Sequence, residues 1–222
     1  MLLTKEALLI LTDTVGHDEL FGFPDLTFYR MNQKQFHQQG LKELRRHQLL
    51  DEEEQLTDEG FFLALLVEKY GDAEQYISIG NRYFIALLEE CILLEKTETG
   101  YLFQLFRPEE LLSYLYVHFT IFAREPLEEE AGFRSRRARI DLTELEQEDI
   151  SHLLPIGSIE RTETEIKKVE FVLFISDGLL YRLQEGKLKR ISQYWLTKWL
   201  VDRLGITYEL EDETRKRGLS NW

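Results

Sequence analysis

The chain has a single cysteine, Cys91, among its 222 residues. One thiol closes no intramolecular disulfide, so no disulfide framework holds this fold. Cys91 opens the apolar run Cys91-Ile92-Leu93-Leu94, a setting that suits a small buried hydrophobe better than a reactive thiol. Metal-ligand spacing is missing too. The five histidines, His17, His37, His47, His118 and His152, include no pair at i, i+4, and no cysteine or carboxylate cluster completes a ligand set. There is no glycine-rich phosphate loop and no Gly-x-Ser-x-Gly elbow, and Ser158 after Gly157 has no base beside it. The acidic groups Asp51–Glu54 and Glu128–Glu130 are consecutive and read as solvated turns rather than acid/base pairs. The expectation is a protein that is not an enzyme, with no metal and no cofactor.

Long apolar runs are scarce. Leu111–Ala123 contains Ser113, His118 and Thr120 and falls short of the roughly 18–20 residues a membrane span needs. Near the N-terminus Leu8–Leu11 is brief and runs into Asp13 without a small-residue cleavage site, so it reads as a helix and not as a signal peptide. A cytoplasmic protein without membrane insertion is expected. Positive charge is also in deficit: 27 Lys and Arg against 41 Asp and Glu give a formal net charge of −14. Such a surface repels phosphates over most of its extent and favours basic or amphipathic protein partners.

What is present is a segment order that occurs twice. Cys91–Lys96, a turn at Thr97–Gly100 and Tyr101–Phe106 lead into an aromatic-rich helix over Glu109–Phe122. Val169–Ile175, a turn at Ser176–Gly178 and Leu179–Leu183 precede a second such helix over Ser192–Leu204. This repetition predicts one pseudo-symmetric body around a central sheet. The expected division is an N-terminal half over 1–125, a linker over 126–140 and a C-terminal half over 141–222.

Along the chain, Thr4 caps a first helix with Leu8, Leu11 and Val15 on its apolar side, closed at Gly16. Leu20-Phe21-Gly22-Phe23-Pro24 is an apolar loop suited to plugging a sheet edge or a helix groove. A second helix starts at Asn32 or Gln33 and runs to about His47. Thr57 caps a third, which Gly71 ends. Gln75–Gly80, Arg82–Leu88, Cys91–Lys96 and Tyr101–Phe106 read as strands, the last apolar on both faces and therefore central. Pro108-Glu109-Glu110 starts the next helix. Arg124–Ile140, with Glu128–Glu130 and then Arg134, Arg136, Arg137 and Arg139, reads as a mobile linker. Asp141–Leu153 reads as a helix, Ile156–Arg161 and Val169–Ile175 as strands. Asp177-Gly178 signals a tight turn. Leu179–Leu183, Lys187–Ile191 and a last helix with Ile191, Trp195 and Trp199 in line follow, then a charged tail over Glu209–Trp222.

Two sets of residues are candidates for partner binding. One is aromatic: Tyr114 and Tyr116 on the first repeated helix, with Tyr194, Trp195 and Trp199 on the second; Tyr and Trp are frequent interface anchors. The other is the basic strip Arg134, Arg136, Arg137 and Arg139, suited to an acidic partner surface. Each has a plainer alternative, core packing for the aromatics and a solvated linker for the arginines. A rival reading places a winged helix over Lys34–Phe106, making the chain a DNA-binding transcriptional regulator. The helix after Thr57 would then be the recognition helix, yet it carries Asp58, Glu59 and Glu68 against Lys69 alone.

The order of elements resembles the EspG-type chaperones of ESX (type VII) secretion. The resemblance is carried by the helix Thr4–Val15, then Asp18-Glu19-Leu20 running to Pro24. The helix ending in Leu41, Leu44 and Leu49-Leu50-Asp51, then Leu56-Thr57 and the helix to Tyr70, carry it further. With the strand-rich stretch and the second half it spans roughly residues 1–205. The chain is compact beside the better-known members, with little room for a large C-terminal helical bundle, and looks more like an accessory protein of a Firmicutes-style type VII locus. The resemblance implies an α+β, quasi-two-fold fold with a central, mostly antiparallel sheet flanked by helices. It also implies a non-enzymatic cytosolic chaperone that holds a small helical-hairpin secretion substrate, WXG100-like or related, before export.

Overall fold

The structure, a computed structural model, describes residues 1–23, 33–138, 150–162 and 164–207. Ten strands form a single antiparallel sheet in the order β1-β5-β4-β3-β2-β7-β8-β9-β10-β6. The fold class is α+β, as the sequence predicts. The strands are β1 Leu2–Leu3, β2 Gln75–Ile79, β3 Tyr83–Ala86, β4 Cys91–Lys96, β5 Tyr101–Phe106, β6 Ser135–Arg137, β7 Ile150–Arg161, β8 Ile166–Ser176, β9 Leu179–Gln184 and β10 Lys187–Ile191. The helices are α1 Lys5–Thr14, α2 Gln33–Arg46, α3 Asp58–Gly71, α4 Pro108–His118 and α5 Gln193–Arg203, with a short 3₁₀ turn at Glu128–Gly132.

Reading outward from the central pair β2–β7, both halves follow one plan. A four-strand meander runs to β5 on one side and β10 on the other. The first strand of each half, β1 or β6, then closes antiparallel on the meander's last strand. Each meander ends in a helix, α4 or α5. The strand order repeats in the two halves, but its register differs from the sequence expectation. β4 and β5 correspond to β9 and β10, not to β8 and β9, because β10 stands between β9 and the last helix. β5 is also penultimate in the sheet rather than central, with only the two-residue β1 outside it.

Caps and turns explain most of the element ends. Thr4 accepts from the Ala7 amide at 3.3 Å, Thr57 from Gly60 at 3.1 Å and Ser192 from Trp195 at 3.2 Å, each satisfying an otherwise orphaned helix N–H. Asp177 and Gly178 have φ of 50° and 72°, the left-handed pair a two-residue hairpin turn demands, and join β8 to β9. The α4 helix stops at His118, short of the expected Phe122, and Phe119–Phe122 folds back in a turn.

Alternation along the strands loads both faces of the sheet. Tyr76, Ala86, Ile92, Leu94, Tyr101 and Phe103 pack beneath α1, α2 and α3. Ile77, Ile79, Ile85, Cys91 and Leu93 turn the other way, joining Leu111 and Leu115 of α4, Phe171 and Leu173 of β8, and Leu196 and Leu200 of α5. The loop at Leu20–Phe23 is a plug, as expected. Phe21 lies 5.0 Å from Tyr76 and Phe23 lies 5.0 Å from Tyr101, ring centre to ring centre; Pro24 lies outside the described residues.

Two further sequence readings change. Residues 150–153 belong to β7 and not to a helix; the rest of the expected helix, 141–149, lies outside the described residues. The stretch read as a mobile linker is built into the sheet. Its β6 pairs with β10, and the Arg134 carbonyl accepts from the Ser192 amide at 3.0 Å. Glu130, fully buried, pairs with Arg124 and accepts from the Gln193 amide at 2.9 Å, at the N-terminal turn of α5. The acidic run is therefore the clasp that docks this strap.

Candidate functional site

Both repeated helices lie on the same face of the sheet, and their outer sides meet. The Tyr116 hydroxyl of α4 and the Thr197 hydroxyl of α5 are 3.0 Å apart. Beside this contact opens a cleft of about 780 Å³. Tyr116, Phe122, Tyr194, Val201 and Ile206 give it an apolar lining, while Arg124, Gln193, Lys198 and Asp202 supply polar groups. Lys198 holds Asp202 at 2.8 Å, an i, i+4 pair. Tyr194 is 52% exposed, a large aromatic held at the mouth.

One group at the cleft stands out. Gln193 is buried, and its amide nitrogen donates to the Phe122 carbonyl at 2.6 Å and the Ile121 carbonyl at 3.3 Å. Its side-chain oxygen Oε1 is buried without a hydrogen-bond partner. A buried carbonyl left unpaired costs roughly 1–3 kcal/mol, a local strain at the base of α5.

The five aromatic candidates divide by position. Tyr116 and Tyr194 line the cleft. Trp195 and Trp199 are half-buried and turn toward the sheet, where Phe171 meets Trp199 at 5.3 Å and the Arg182 guanidinium lies 4.7 Å from the Trp195 ring centre. Desolvation lowers the Arg182 pKa below the ordinary arginine value. Tyr114 is packed between Phe106 at 5.1 Å and the stacked His118 at 3.8 Å. These three serve the second core.

The arginine strip is likewise divided. Arg136 lies over Phe133 at 4.3 Å and pairs with Glu129 at 3.5 Å, a carboxylate that also holds Arg190. The Arg190 hydrogen bond holds the Glu129 carboxyl below its ordinary 4.5. Arg134 and Arg137 are exposed near the β6 edge, and Arg139 lies outside the described residues. The strip and the cleft are joined through the strap, since Arg124 and Gln193 both bind Glu130. Sequence spacing could not reveal the cleft's Val201 and Ile206, because they meet Tyr116 and Phe122 only in the folded chain.

Among the described residues no group of three or more His, Cys, Asp and Glu side chains is placed to hold a metal ion. No helix among them is long and apolar enough to cross a membrane. Cys91 is buried in the second core, and burial lifts its thiol pKa from 9.0 to about 11. The strands that a winged helix would use as its wing are structural here, since β2 pairs with β7 at the centre of the sheet.

An open α+β sheet with a helix-flanked cleft defines the structural class. The chain belongs to the DUF5081 family, a domain of unknown function whose family model matches residues 2–212. No curated protein matches the chain.

Proposed function

We propose that this protein is a non-enzymatic cytosolic chaperone or adaptor that binds a small helical-hairpin type VII secretion substrate, WXG100-like or related, before export. The observation that carries the reading is the amphipathic cleft that α5 forms with the Phe122–Pro126 segment and Tyr116 of α4. Its volume and its mixture of exposed aromatic and polar groups suit the apolar tip of a helical hairpin rather than a small polar metabolite. Tyr194 and Tyr116 act as anchors, and Lys198 and Asp202 offer polar contacts beside them. The resemblance to EspG-type chaperones in element order supports the same reading, as does the acidic surface, which disfavours nucleic acid.

Co-expression with a helical-hairpin type VII substrate from the same genome, followed by size-exclusion chromatography with light scattering, tests it. A stoichiometric soluble complex is expected, weakened about tenfold or more by Tyr116→Ala with Tyr194→Ala while thermal stability is retained. Absence of any complex, or a complex indifferent to both tyrosines, contradicts the reading.

A further inference from the structure

The helix α3 is apolar on the side that packs and carries large apolar residues among charged ones on the side that does not. Gly60, Leu63, Ala64, Leu66, Val67 and Tyr70 are buried against the first core. Asp58, Phe61, Phe62, Leu65, Glu68 and Lys69 form the opposite stripe by helical geometry. Phe61 is 65% exposed and Phe62 56%, while α2 on the same face presents only polar residues at its exposed positions. Adjacent exposed phenylalanines at the middle of a solvent face mark an interaction surface.

The stripe does not end at the helix. Lys69 also borders a groove of about 740 Å³ that contains Leu88, Ile92 and Leu105. Leu105 follows Tyr101 and Phe103 at two-residue steps, so it belongs to the α3 face of the sheet, and it is 39% exposed. Phe61, Phe62 and Leu65 thus lead toward Leu105 and Leu88 across Lys69. The α3 part alone is about 17 Å long.

Acid borders this track at both ends. Asp58 and Glu59 lie in the first turn of α3, and Glu52 and Glu53 are exposed in the preceding turn. That turn is fixed in place, because the Thr57 amide and hydroxyl bind the Leu49 and Gln48 carbonyls at 3.1 and 2.8 Å. At the far end Asp72, Glu89, Glu90 and Glu109 line the groove, with Lys69 and Arg107 as its cations. A second copy of this chain docked symmetrically would bring acid against acid, at a cost.

We propose that this track is a second docking surface, for an amphipathic helix whose apolar face is flanked by Lys and Arg. It lies on the opposite face of the sheet from the α4/α5 cleft and does not depend on the function proposed for that cleft. Two surfaces on opposite faces let one molecule bridge two proteins.

The test is fluorescence anisotropy with a labelled amphipathic Leu/Lys helix of about 18 residues. Two controls are a Leu/Glu helix and a peptide of equal positive charge with Ser in place of Leu. The wild type is expected to bind the Leu/Lys helix one to one and neither control. Phe61→Ser with Phe62→Ser should weaken binding about tenfold or more at unchanged melting temperature. Tyr116→Ser with Tyr194→Ser should leave it unaltered. Equal binding by the Phe variant, equal binding of the Ser peptide, or no binding by the wild type overturns the proposal. So does a wild-type dimer in sedimentation that the Phe variant dissociates, since a second copy would then be the occupant.

Discussion

Glu130 shows how much one residue can decide here. Its carboxylate, fully buried, holds Arg124 and accepts from the α5 N-terminal amide. Glu130→Ala leaves the Arg124 charge in a mostly buried site, and a loss of about 3 kcal/mol is expected in urea unfolding; a change under 1 kcal/mol would show the clasp to be incidental. Its neighbour Glu129 responds to pH. Because its pKa is depressed below 4.5, the stabilisation it adds is present above that value and is lost as pH falls through the folded-state pKa. The amide-exchange protection factors at Ser135–Arg137, taken relative to the intrinsic rate at each pH, should therefore fall below pH 4.5 while those of β2 and β7 hold. Cys91 shows the opposite sign. Raised from 9.0 to about 11, its protonated form is favoured by folding, and that contribution holds below pH 9.0 and disappears as pH rises through 11. At pH 8 only about one thiol in a thousand is ionised in the native state, so alkylation should be very slow when folded and rapid in denaturant. Fast native alkylation would mean that the second core opens there.

At the scale of elements, α3 depends on a close approach. A Cβ on Gly60 would lie 2.1 Å from the Leu49 carbonyl oxygen, which is backbone and cannot turn aside. Gly60→Ala should cost about 1–3 kcal/mol by forcing α3 off the acidic turn, readable as a lower melting temperature; an unchanged value would show that the turn can move. The first half was legible because its punctuation is local. Thr4, Thr57 and Gly71, with Pro108, sit where caps and starts belong, and β2–β5 are short apolar runs bounded by turn residues. The start of β7 was not legible. Its register shifts between Ser151 and Leu154, with His152 at φ 52°, so the alternation breaks and Ile150, Leu153 and Leu154 mimic helical spacing. The strap was missed for another reason. Glu128–Glu130 look solvated in sequence, and only the distant α5 and β10 reveal what Glu129 and Glu130 bind. The candidate aromatics were visible as residue types, but nothing local separates Tyr116 and Tyr194, which line the cleft, from Trp195 and Trp199, which support the core.

At the scale of the molecule, duplication of a meander and its closing helix generates the cleft. Each half alone would leave its last helix with one uncovered side; joined through β2 and β7, the halves bring α4 and α5 together on one face. The opposite face over the first half is covered by α1, α2 and α3, and α3 keeps a second apolar stripe outward. This arrangement suits a protein that holds others. The most direct measurement is light scattering of the co-expressed protein and helical-hairpin substrate, made alongside the Tyr116→Ala, Tyr194→Ala pair. A defined soluble complex that this pair dissolves, without loss of folding, is the predicted result. Failure of the wild type to form any complex, or recovery of bound DNA in its place, would contradict the account.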